Sequence, residues 1–422
     1  MDPEISPRAV AATTSLAVEQ NTVKRRGVGL RACDTERACP GYTLFAPCFE
    51  KNRTVFLIDL QGTVVHTWTM PYAPGLGGYL TERGTLIYNG RTPEHGFLSR
   101  FPFKGGAILE ADWNGKILWE VRHPDHHHDG IRLRNGNVLL NCLGQVPKDI
   151  AERVVGGAED HNLSSGLYGR QPQAEVGRMY ADYLAELTPS GQTVWEWRSW
   201  EHLDPAEDGI AEVQSLRTLW AMGNNVVELA DGDIVVSYRP ISTVIRIDRR
   251  TGRIVWKLGP PTLAGQHAPT PLANANILIF DNGVHRLDDP LPFSRVIEVN
   301  PALNEIVWTY QDNPVSNFFT PRMGNAQRLS NGNTLINEAS FGRFFEVTAQ
   351  GETEDEALAK LRQSLARQLK RARIVPLELD TSQSDNPWLQ IGDLFKDNPL
   401  LDEVTQSIEE YRRQLDVVDE DS

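Results

Sequence analysis

The pattern of apolar and polar residues along the chain contains one phrase written five times. Each copy has an apolar strand, a turn that carries Asp or Asn and usually Gly, and a second strand that ends in tryptophan. The copies end at Trp68, Trp119, Trp195, Trp256 and Trp308. Apolar runs of period two between turn residues are typical of short antiparallel strands. The pattern therefore predicts a chain built from repeated β-sheets.

A second phrase, a turn followed by a period-two strand, precedes most of these copies, as in TERGTLIYNG, LRNGNVLLN and LADGDIVVS. The two phrases together supply about four strands, which is the content of one propeller blade of about 40 to 50 residues. A last partial unit at 324–348 brings the count to six. We therefore predict an all-β fold, a six-bladed β-propeller over residues 41–351, in which the tryptophans pack blade against blade. The largest insertion, 146–179, is predicted to be a surface loop.

Both ends of the chain depart from this pattern. Residues 1–40 are predicted to be a flexible leader, and they lack the apolar region of a secretory signal, so the sequence predicts a cytoplasmic protein unless the start site is misassigned. Beyond Gly351 the leucines have helical spacing. Residues 352–422 are therefore predicted to form a small C-terminal α/β or helical appendage, a candidate contact for a second copy or a partner protein.

Composition and charge exclude several partners. The formal net charge is −14 and no run of eighteen apolar residues occurs. Nucleic acids and anionic membranes need a basic face, so neither is predicted to bind. The four cysteines are too few for a disulfide scaffold. No cofactor is predicted.

Three short segments hold most of the residues that could carry chemistry. They are HPDHHHDGIRLRNGN, LWAMGNNVVELADGDIVVSYRPIS and GQHAPTPLANANILIFDNG. His128, Asn224 and His267 stand at the same point of the repeat, just before the turn-and-strand phrase. Equivalent positions of successive blades surround one end of the central channel, so we expect these side chains to share one space.

The run His126, His127 and His128 has three interpretations. Imidazoles bind zinc, copper or iron, but adjacent residues on a strand point to opposite faces, so three in a row cannot all bind one ion. A solvated polar loop and a catalytic histidine that faces the channel are the other two. No metal site is predicted.

Four segments, in order, carry a family resemblance. HHHDGIRLRNGN, NNVVELADGDIVVSYR, GQHAPTPLANANILIFDNG and GNAQRLSNGNTLINEASFGRFFEVT resemble the arylsulfotransferase family, bacterial aryl-sulfate sulfotransferases that do not use the nucleotide sulfate donor. The resemblance covers residues 41–351. It implies a six-bladed propeller that moves a sulfuryl group from a phenolic sulfate ester to a phenol by a ping-pong route through a sulfated histidine.

The resemblance also implies roles for individual residues. His267 matches the nucleophile, and Arg239 matches the arginine that holds the sulfuryl oxygens. His128 would stabilise the same charge or protonate the departing phenolate. Asn224 and His127 are expected to bind the substrate. The implied partners are a small phenolic donor and a small phenolic acceptor.

Two features depart from the family pattern. Met222 stands where the family has a histidine of the site, and it has neither a proton to donate nor a charge. At Glu352 a helical pattern replaces the strand that would complete the sixth blade. Two segments are candidates for the missing strand, TVFLID at 54–59 and IVPLELD at 374–380.

Two other functions compete with the enzyme. A catalytically impaired propeller would keep the scaffold and bind a ligand or a partner protein, as Met222 suggests. The IDRRTGRIVW turn is also typical of quinone-dependent dehydrogenases, although those propellers usually have eight blades.

Overall fold

The structure is a computed structural model that describes residues 28–48, 53–93, 98, 101, 103–158, 178–212, 215–286 and 291–348. The chain divides into two units, residues 1–351 and 352–422. The first 27 residues and the appendage predicted for 352–422 lie outside the described residues.

The first unit consists of antiparallel sheets whose strands follow one another in chain order. The first three sheets are β1–β3 (Thr43–Phe45, Thr54–Ile58, Val64–Thr69), β4–β7 (Ala73–Leu80, Leu86–Arg91, Gly106–Ala111, Ile117–Arg122) and β8–β11 (His126–Arg132, Val138–Gln145, Tyr180–Leu187, Thr193–Arg198). The next three are β12–β15 (Gly223–Glu228, Ile234–Tyr238, Thr243–Ile247, Ile254–Leu258), β16–β19 (His267–Pro271, Ile277–Asp281, Arg295–Asn300, Glu305–Tyr310) and β20–β22 (Asn325–Arg328, Thr334–Glu338, Arg343–Val347). A short helix α1 spans Lys148–Ala151, and 3-10 helices span Ser199–Glu201, Val315–Asn317 and Ala339–Phe341.

These six sheets are the blades of a propeller. The first strand of each complete blade contacts the first strand of the next, along the series β4, β8, β12, β16 and β20. The first and last blades meet through the rings of Phe45 and Phe344, whose centroids are 5.5 Å apart. The predicted six-bladed β-propeller is therefore confirmed, with β4, β8, β12, β16 and β20 around the central channel.

The last blade is not completed as the sequence suggested. TVFLID forms β2, between β1 and β3, and does not pair with β20–β22, so that prediction was wrong. IVPLELD lies outside the described residues. Instead, the N-terminal segment bonds to the last blade, where Cys39 N–H donates to Glu346 at 2.8 Å and Asn333 Nδ2 donates to the Arg37 carbonyl at 2.8 Å. This part of the predicted leader is attached to the propeller.

The tryptophans on the outer strands join each blade to the next, as predicted. Trp68 Nε1 donates to the Asp112 carbonyl at 3.1 Å, and Trp256 Nε1 donates to Asn304 Oδ1 at 3.2 Å. The rings of the other three lie under a guanidinium of the following blade, in the pairs Trp119–Arg132, Trp195–Arg249 and Trp308–Arg328.

The insertion after β9 is partly a packed element rather than a surface loop. Val146 and Val154, on either side of α1, are 3% exposed and pack in one apolar cluster with Trp220. Two apolar anchors hold this part of the chain against the third and fourth blades. Residues 159–177 of the insertion lie outside the described residues.

Candidate functional site

The innermost strands deviate from regular pairing where the predicted site residues lie. The register shifts fall between His126 and Gly130, between Gly223 and Asn225, and between His267 and Thr270. His128 has a φ of 49°, in the left-handed region that residues with a side chain seldom adopt. Bulges of this kind re-aim side chains and often border active sites. Three successive blades thus turn His128, Asn224 and His267 out of the regular ladder at the same level.

His267 is held by the turn that follows its partner strand. Its Nδ1 lies 2.7 Å from Asn282 Oδ1, and the Met323 N–H donates to its Nε2 at 3.2 Å. The Asn282 amide is itself oriented, because Nδ2 donates to the carbonyls of Thr320 and Met323, each at 2.8 Å. Oδ1 of Asn282 therefore accepts the hydrogen of Nδ1. His267 is the tautomer with its hydrogen on Nδ1 and a lone pair on Nε2.

His267 is also kept neutral. Burial and then the positive charge of Arg239 lower the pKa of His267 to about 3, against hydrogen bonds to Asn282 and to the Gly265 backbone. A neutral imidazole keeps its Nε2 lone pair at every pH near neutrality. Burial lowers the pKa of His128 most, and the neighbouring groups, which include His127, His267 and Arg239, lower it further. The three predicted catalytic residues therefore share one electrostatic environment.

Arg239 is engaged by a carboxylate that the sequence did not single out. Its Nη1 and Nη2 donate to the two oxygens of Glu212 at 2.5 and 2.9 Å, and Ser215 Oγ donates to the same carboxylate. Arg239 Nε is buried and has no hydrogen-bond partner within the described residues. The pair with Arg239 lowers the pKa of Glu212, although burial alone would raise it. Nη2 also donates to the Pro321 carbonyl at 3.4 Å, so the donors of Arg239 without a partner among the described residues are Nε–H and the second hydrogen of Nη1.

His128 lies on an aromatic stack. Its ring is parallel to that of Phe103, with 4.6 Å between centroids, and Phe103 stacks on Phe101 at 4.8 Å. The backbone N–H of His128 donates to the Phe103 carbonyl at 2.9 Å. Burial, together with His127 and the other nearby cationic groups, places the pKa of His128 well below its usual range. One flat face of His128 is thus fixed against an apolar wall.

His127 lies behind His128 and not at the channel surface. Its Nδ1 is 2.8 Å from Nδ1 of His128, and its Nε2 is 3.0 Å from Asp182 Oδ1. The ring is fully buried. Because both ring nitrogens are occupied, the predicted direct contact with substrate does not fit this placement.

Asn224 connects two blades of the site. Its Nδ2 donates to the Gln266 carbonyl at 2.8 Å, next to His267. Its Oδ1 is buried without a partner in the described part of the chain. Asn224 therefore offers its Oδ1 as an acceptor and the second hydrogen of Nδ2 as a donor.

The three adjacent histidines have three different partners. His126 Nδ1 accepts the Gly106 N–H at 3.1 Å, His127 contacts Asp182 through Nε2, and His128 contacts Nδ1 of His127. Their rings do not converge on one point. Among the described residues, no group of three or more His, Cys, Asp or Glu side chains is placed to hold a metal ion.

Comparison with known proteins agrees with this geometry. A model of the family described as arylsulfotransferase (ASST) matches residues 96–357, more than half of the chain. The chain belongs to the arylsulfotransferase family. No curated protein matches its sequence. Within the described residues, no helix is long and apolar enough to span a membrane.

Solved structures similar to this arylsulfotransferase-family chain are distant. One is a protein of unknown function from Bacteroides caccae, with 12% identity and a TM-score of 0.45 over 75% of this chain and 93% of that chain. Another is virginiamycin B lyase from Staphylococcus aureus, with 11% identity and a TM-score of 0.37 over 77% and 89%. A third is BamB from Moraxella catarrhalis, with 13% identity and a TM-score of 0.31 over 71% and 67%. At these scores they do not bear on function.

Met222, at the position where the resemblance implies a histidine, is 9% exposed. It packs in an apolar cluster with Phe101, Phe103 and Leu143. Its backbone carbonyl accepts the backbone N–H of Arg239 at 3.3 Å. The methionine therefore extends the apolar wall beside His128. In place of a polar group, this member of the family has a surface suited to an aromatic ring.

Sequence reasoning missed Asn282, Glu212, Asp182 and Asp129. Asn282 was interpreted only as part of an Asp-Asn-Gly turn. Glu212 lies between blades, outside the repeat, so no pattern pointed to it. Asp182, in the apolar strand YADYLAEL, gave a usable signal, because a carboxylate in a buried strand needs a partner.

Asp129 anchors the inner strands beneath the site. One oxygen accepts the Gly130 N–H at 3.0 Å and the other accepts Asn225 Nδ2 at 2.7 Å and the Val226 N–H at 3.2 Å. Burial raises the pKa of Asp129 to about 7 despite these donors. The carboxylate thus connects the strand of His128 to the strand of Asn224.

Proposed function

We propose that this protein transfers a sulfuryl group from a phenolic sulfate ester to a phenol through a sulfated His267. The observation that carries the proposal is the tautomer of His267, with Nδ1–H fixed by Asn282 and a lone pair on Nε2. A group in this state is an uncharged nucleophile, which can attack an anionic ester without first losing a proton. Membership of the arylsulfotransferase family supports the same reaction class.

The reaction has two half-reactions. In the first, the Nε2 lone pair of His267 forms a bond to sulfur while the ester S–O bond breaks and its electrons leave with the phenolate. In the second, the oxygen of the acceptor phenol bonds to sulfur, the N–S bond breaks, and Nε2 regains its lone pair. Two displacements at sulfur replace one direct transfer, as in other covalent mechanisms.

Donors around Nε2 would hold the charged oxygens of the sulfuryl group. The Met323 N–H already points at Nε2 from 3.2 Å, and Arg239 Nε–H lacks a partner in the described residues. Both are fixed before substrate arrives, which is the condition under which such donors stabilise developing charge best. The apolar wall of Phe101, Phe103 and Met222 would face the aryl ring.

The test is incubation with p-nitrophenyl sulfate, with and without phenol, followed by peptide mass analysis. The unaltered protein should release p-nitrophenolate faster when phenol is present, and a peptide with sulfated His267 should be found. His267→Ala should lose both. His202→Ala is the matched control, because His202 stacks on Trp197 at 4.6 Å in the third blade, outside the site, and should keep both.

A ligand-binding scaffold is the second candidate. It is favoured by the Glu212–Arg239 pair, because the carboxylate neutralises the guanidinium whose charge would stabilise the sulfuryl group during transfer. This function would be established if the folded protein binds p-nitrophenyl sulfate saturably and releases no p-nitrophenolate. The quinone-dependent dehydrogenase is disfavoured, since the propeller has six blades and not eight.

A further inference from the structure

A chain of three side chains runs from the interior of the third blade to the site. Asp182 lies on β10 and is fully buried, and its Oδ2 accepts the Gly223 N–H at 2.7 Å. Its Oδ1 is 3.0 Å from Nε2 of His127, whose Nδ1 is 2.8 Å from Nδ1 of His128. Each contact is short enough to be a hydrogen bond.

The hydrogens along this chain can be assigned from its inner end. The Asp182 carboxylate accepts at both oxygens, so Nε2 of His127 carries a hydrogen and donates it to Oδ1. The neutral ring of His127 then has a lone pair on Nδ1, which accepts the Nδ1–H of His128. The lone pair of His128 is left on Nε2, which has no hydrogen-bond partner in the described part of the chain.

We propose that Asp182, His127 and His128 form a proton relay that takes up a proton in the second half-reaction and stores it until the first half-reaction of the next turnover. The proposal rests on the proposed function and adds the route of the proton to it. His128 is the catalytic residue, which meets the phenol, whereas His127 and Asp182 act through it as positioning residues.

Proton transfer along the chain balances in the second half-reaction. The acceptor phenol gives its O–H proton to His128 Nε2 as its oxygen bonds to sulfur. The Nδ1–H of His128 passes to His127 Nδ1, and the Nε2–H of His127 passes to Asp182, so the chain gains one proton and no ring stays charged. In the next turnover the transfers run in reverse, and His128 Nε2–H protonates the departing phenolate.

The surroundings of His128 explain why a relay is needed. Burial disfavours a positive charge on His128 most, and the neighbouring groups His127, His267, His126 and Arg239 disfavour it further. The carboxylate at the other end can take up the proton, because burial raises the pKa of Asp182 from its usual value. The relay moves the positive charge of the proton away from Arg239 to Asp182, where the carboxylate neutralises it.

The variant Asp182→Asn tests the relay, because it reverses the order of donors and acceptors. The Asn amide oxygen can still accept the Gly223 N–H, which leaves its Nδ2–H to donate to His127 Nε2. His127 must then carry its hydrogen on Nδ1, and His128 must turn its own hydrogen to Nε2. The variant presents a donor at the channel where the unaltered protein presents a base.

The two half-reactions should respond differently. With p-nitrophenyl sulfate, whose phenolate leaves without a proton, sulfation of His267 in Asp182→Asn should stay within about threefold of the unaltered protein. Transfer to phenol should slow by about a hundredfold or more, the usual contribution of a general base, so that sulfated His267 accumulates. Tyr238→Phe is the matched control. Its hydroxyl is buried, is coupled electrostatically to Asp182 and lies outside the chain of hydrogen bonds, so both rates should hold.

Other outcomes separate the relay from the proposed function. Equal transfer rates in Asp182→Asn and the unaltered protein would overturn the relay and leave the sulfated His267 intact. Absence of sulfated His267 in the unaltered protein would overturn the proposed function itself. Nitrogen-15 NMR of the histidine rings then still tests the relay: the His128 tautomer should carry its hydrogen on Nδ1 in the unaltered protein and on Nε2 in Asp182→Asn. The same tautomer in both would contradict the relay.

Discussion

At the scale of single residues, the site depends on side chains that orient other side chains. Asn282 donates two hydrogen bonds to carbonyls, so its oxygen must face His267. Glu212 holds Arg239 by both terminal nitrogens, so Nε–H and the second hydrogen of Nη1 are the donors left for a ligand among the described residues. The atoms that would meet a substrate are set by partners that the substrate does not touch, as is usual for preorganised sites.

The Glu212–Arg239 pair yields a prediction for substrate binding. The carboxylate cancels the charge of the guanidinium beside His267, and it repels an anionic ester. In Glu212→Gln the repulsion is gone and one guanidinium nitrogen is released. We expect the KM for p-nitrophenyl sulfate to fall about three- to tenfold, which corresponds to roughly 1 kcal/mol of lost repulsion.

Steady-state kinetics at several ester concentrations measures this effect. Glu338→Gln is the control, because Glu338 forms a comparable buried pair with Arg343, at 2.7 Å in the last blade, and should leave KM unchanged. A higher KM in Glu212→Gln would contradict the prediction and make Glu212 a residue that positions Arg239.

His128, Asn224 and His267 were predicted to share one space because each stands at the same point of a repeated phrase, whereas the role of Arg239 came from the family resemblance. Repetition says where an inner strand begins, and the ring of blades then brings those points together. The repeat predicts neither the position of Glu212, which lies in a segment between blades, nor the direction of the His127 ring. That direction depends on Asp182, a contact between residues 55 positions apart.

At the scale of the strand, three blades share a buried glutamate on the third strand opposite a tryptophan on the fourth, whereas in the fourth blade Arg246 lies opposite Trp256. The cross-strand pairs are Glu110–Trp119, Glu186–Trp195 and Glu298–Trp308. In the first blade His66 holds the tryptophan position, and Trp68 lies two residues later, opposite Val55. The sequence pattern grouped Trp68 with the other tryptophans because it compares positions along the chain. The cross-strand pairing shows that Trp68 does not occupy the equivalent position in its sheet.

These glutamates predict a stability effect that is separate from activity. Glu298 accepts hydrogen bonds from Asn274 at 3.0 Å and Asn276 at 2.7 Å, and it pairs with Arg328 at 2.7 Å. Burial raises its pKa, but these partners outweigh burial and the net pKa is lowered. Glu298→Gln should cost about 1–3 kcal/mol of unfolding free energy, because the new amide group faces Arg328 instead of a carboxylate oxygen.

Chemical unfolding monitored by tryptophan fluorescence measures this loss, with the exposed Glu305→Gln as control. Sulfate transfer should be unaffected in both variants. Since the lowered pKa of Glu298 stabilises the fold above the usual glutamate pKa, the difference between variant and unaltered protein should shrink as pH falls below about 4.5. A loss of activity without a loss of stability would place Glu298 in the site and contradict the argument.

At the scale of the whole molecule, the number of blades followed from sequence and the closure of the ring did not. Five copies of a phrase and one partial unit predict six sheets, because each sheet must bury its faces against neighbours. Closure depends on contacts between distant ends of the chain, such as Phe45 with Phe344 and Cys39 with Glu346. The periodicity of the sequence carries no information about such contacts. For this reason TVFLID, which forms β2 of the first blade, was a candidate for the missing strand of the sixth blade.

The buried histidines predict how the stability of the propeller varies with pH. His126 is fully buried, and burial, with a smaller effect of His127, lowers its pKa to about 3. Between about pH 6.5 and 3 the unfolded chain binds a proton at this residue that the folded chain does not. Stability from His126 is therefore complete above pH 6.5 and is lost as pH falls, by about 1.4 kcal/mol per pH unit.

The variant His126→Asn isolates this contribution. Its amide oxygen can replace Nδ1 as the acceptor of the Gly106 N–H, and it does not titrate. Asp129 acts in the opposite direction, because its raised pKa favours the folded state as pH falls from about 7, but it is present in both proteins and cancels in their difference. The stability advantage of the unaltered protein should shrink by about 2 kcal/mol between pH 6.5 and 5, measured by urea unfolding at each pH. A difference that stays constant would mean that His126 gains its proton in the folded state as readily as in the unfolded chain, which its burial does not permit.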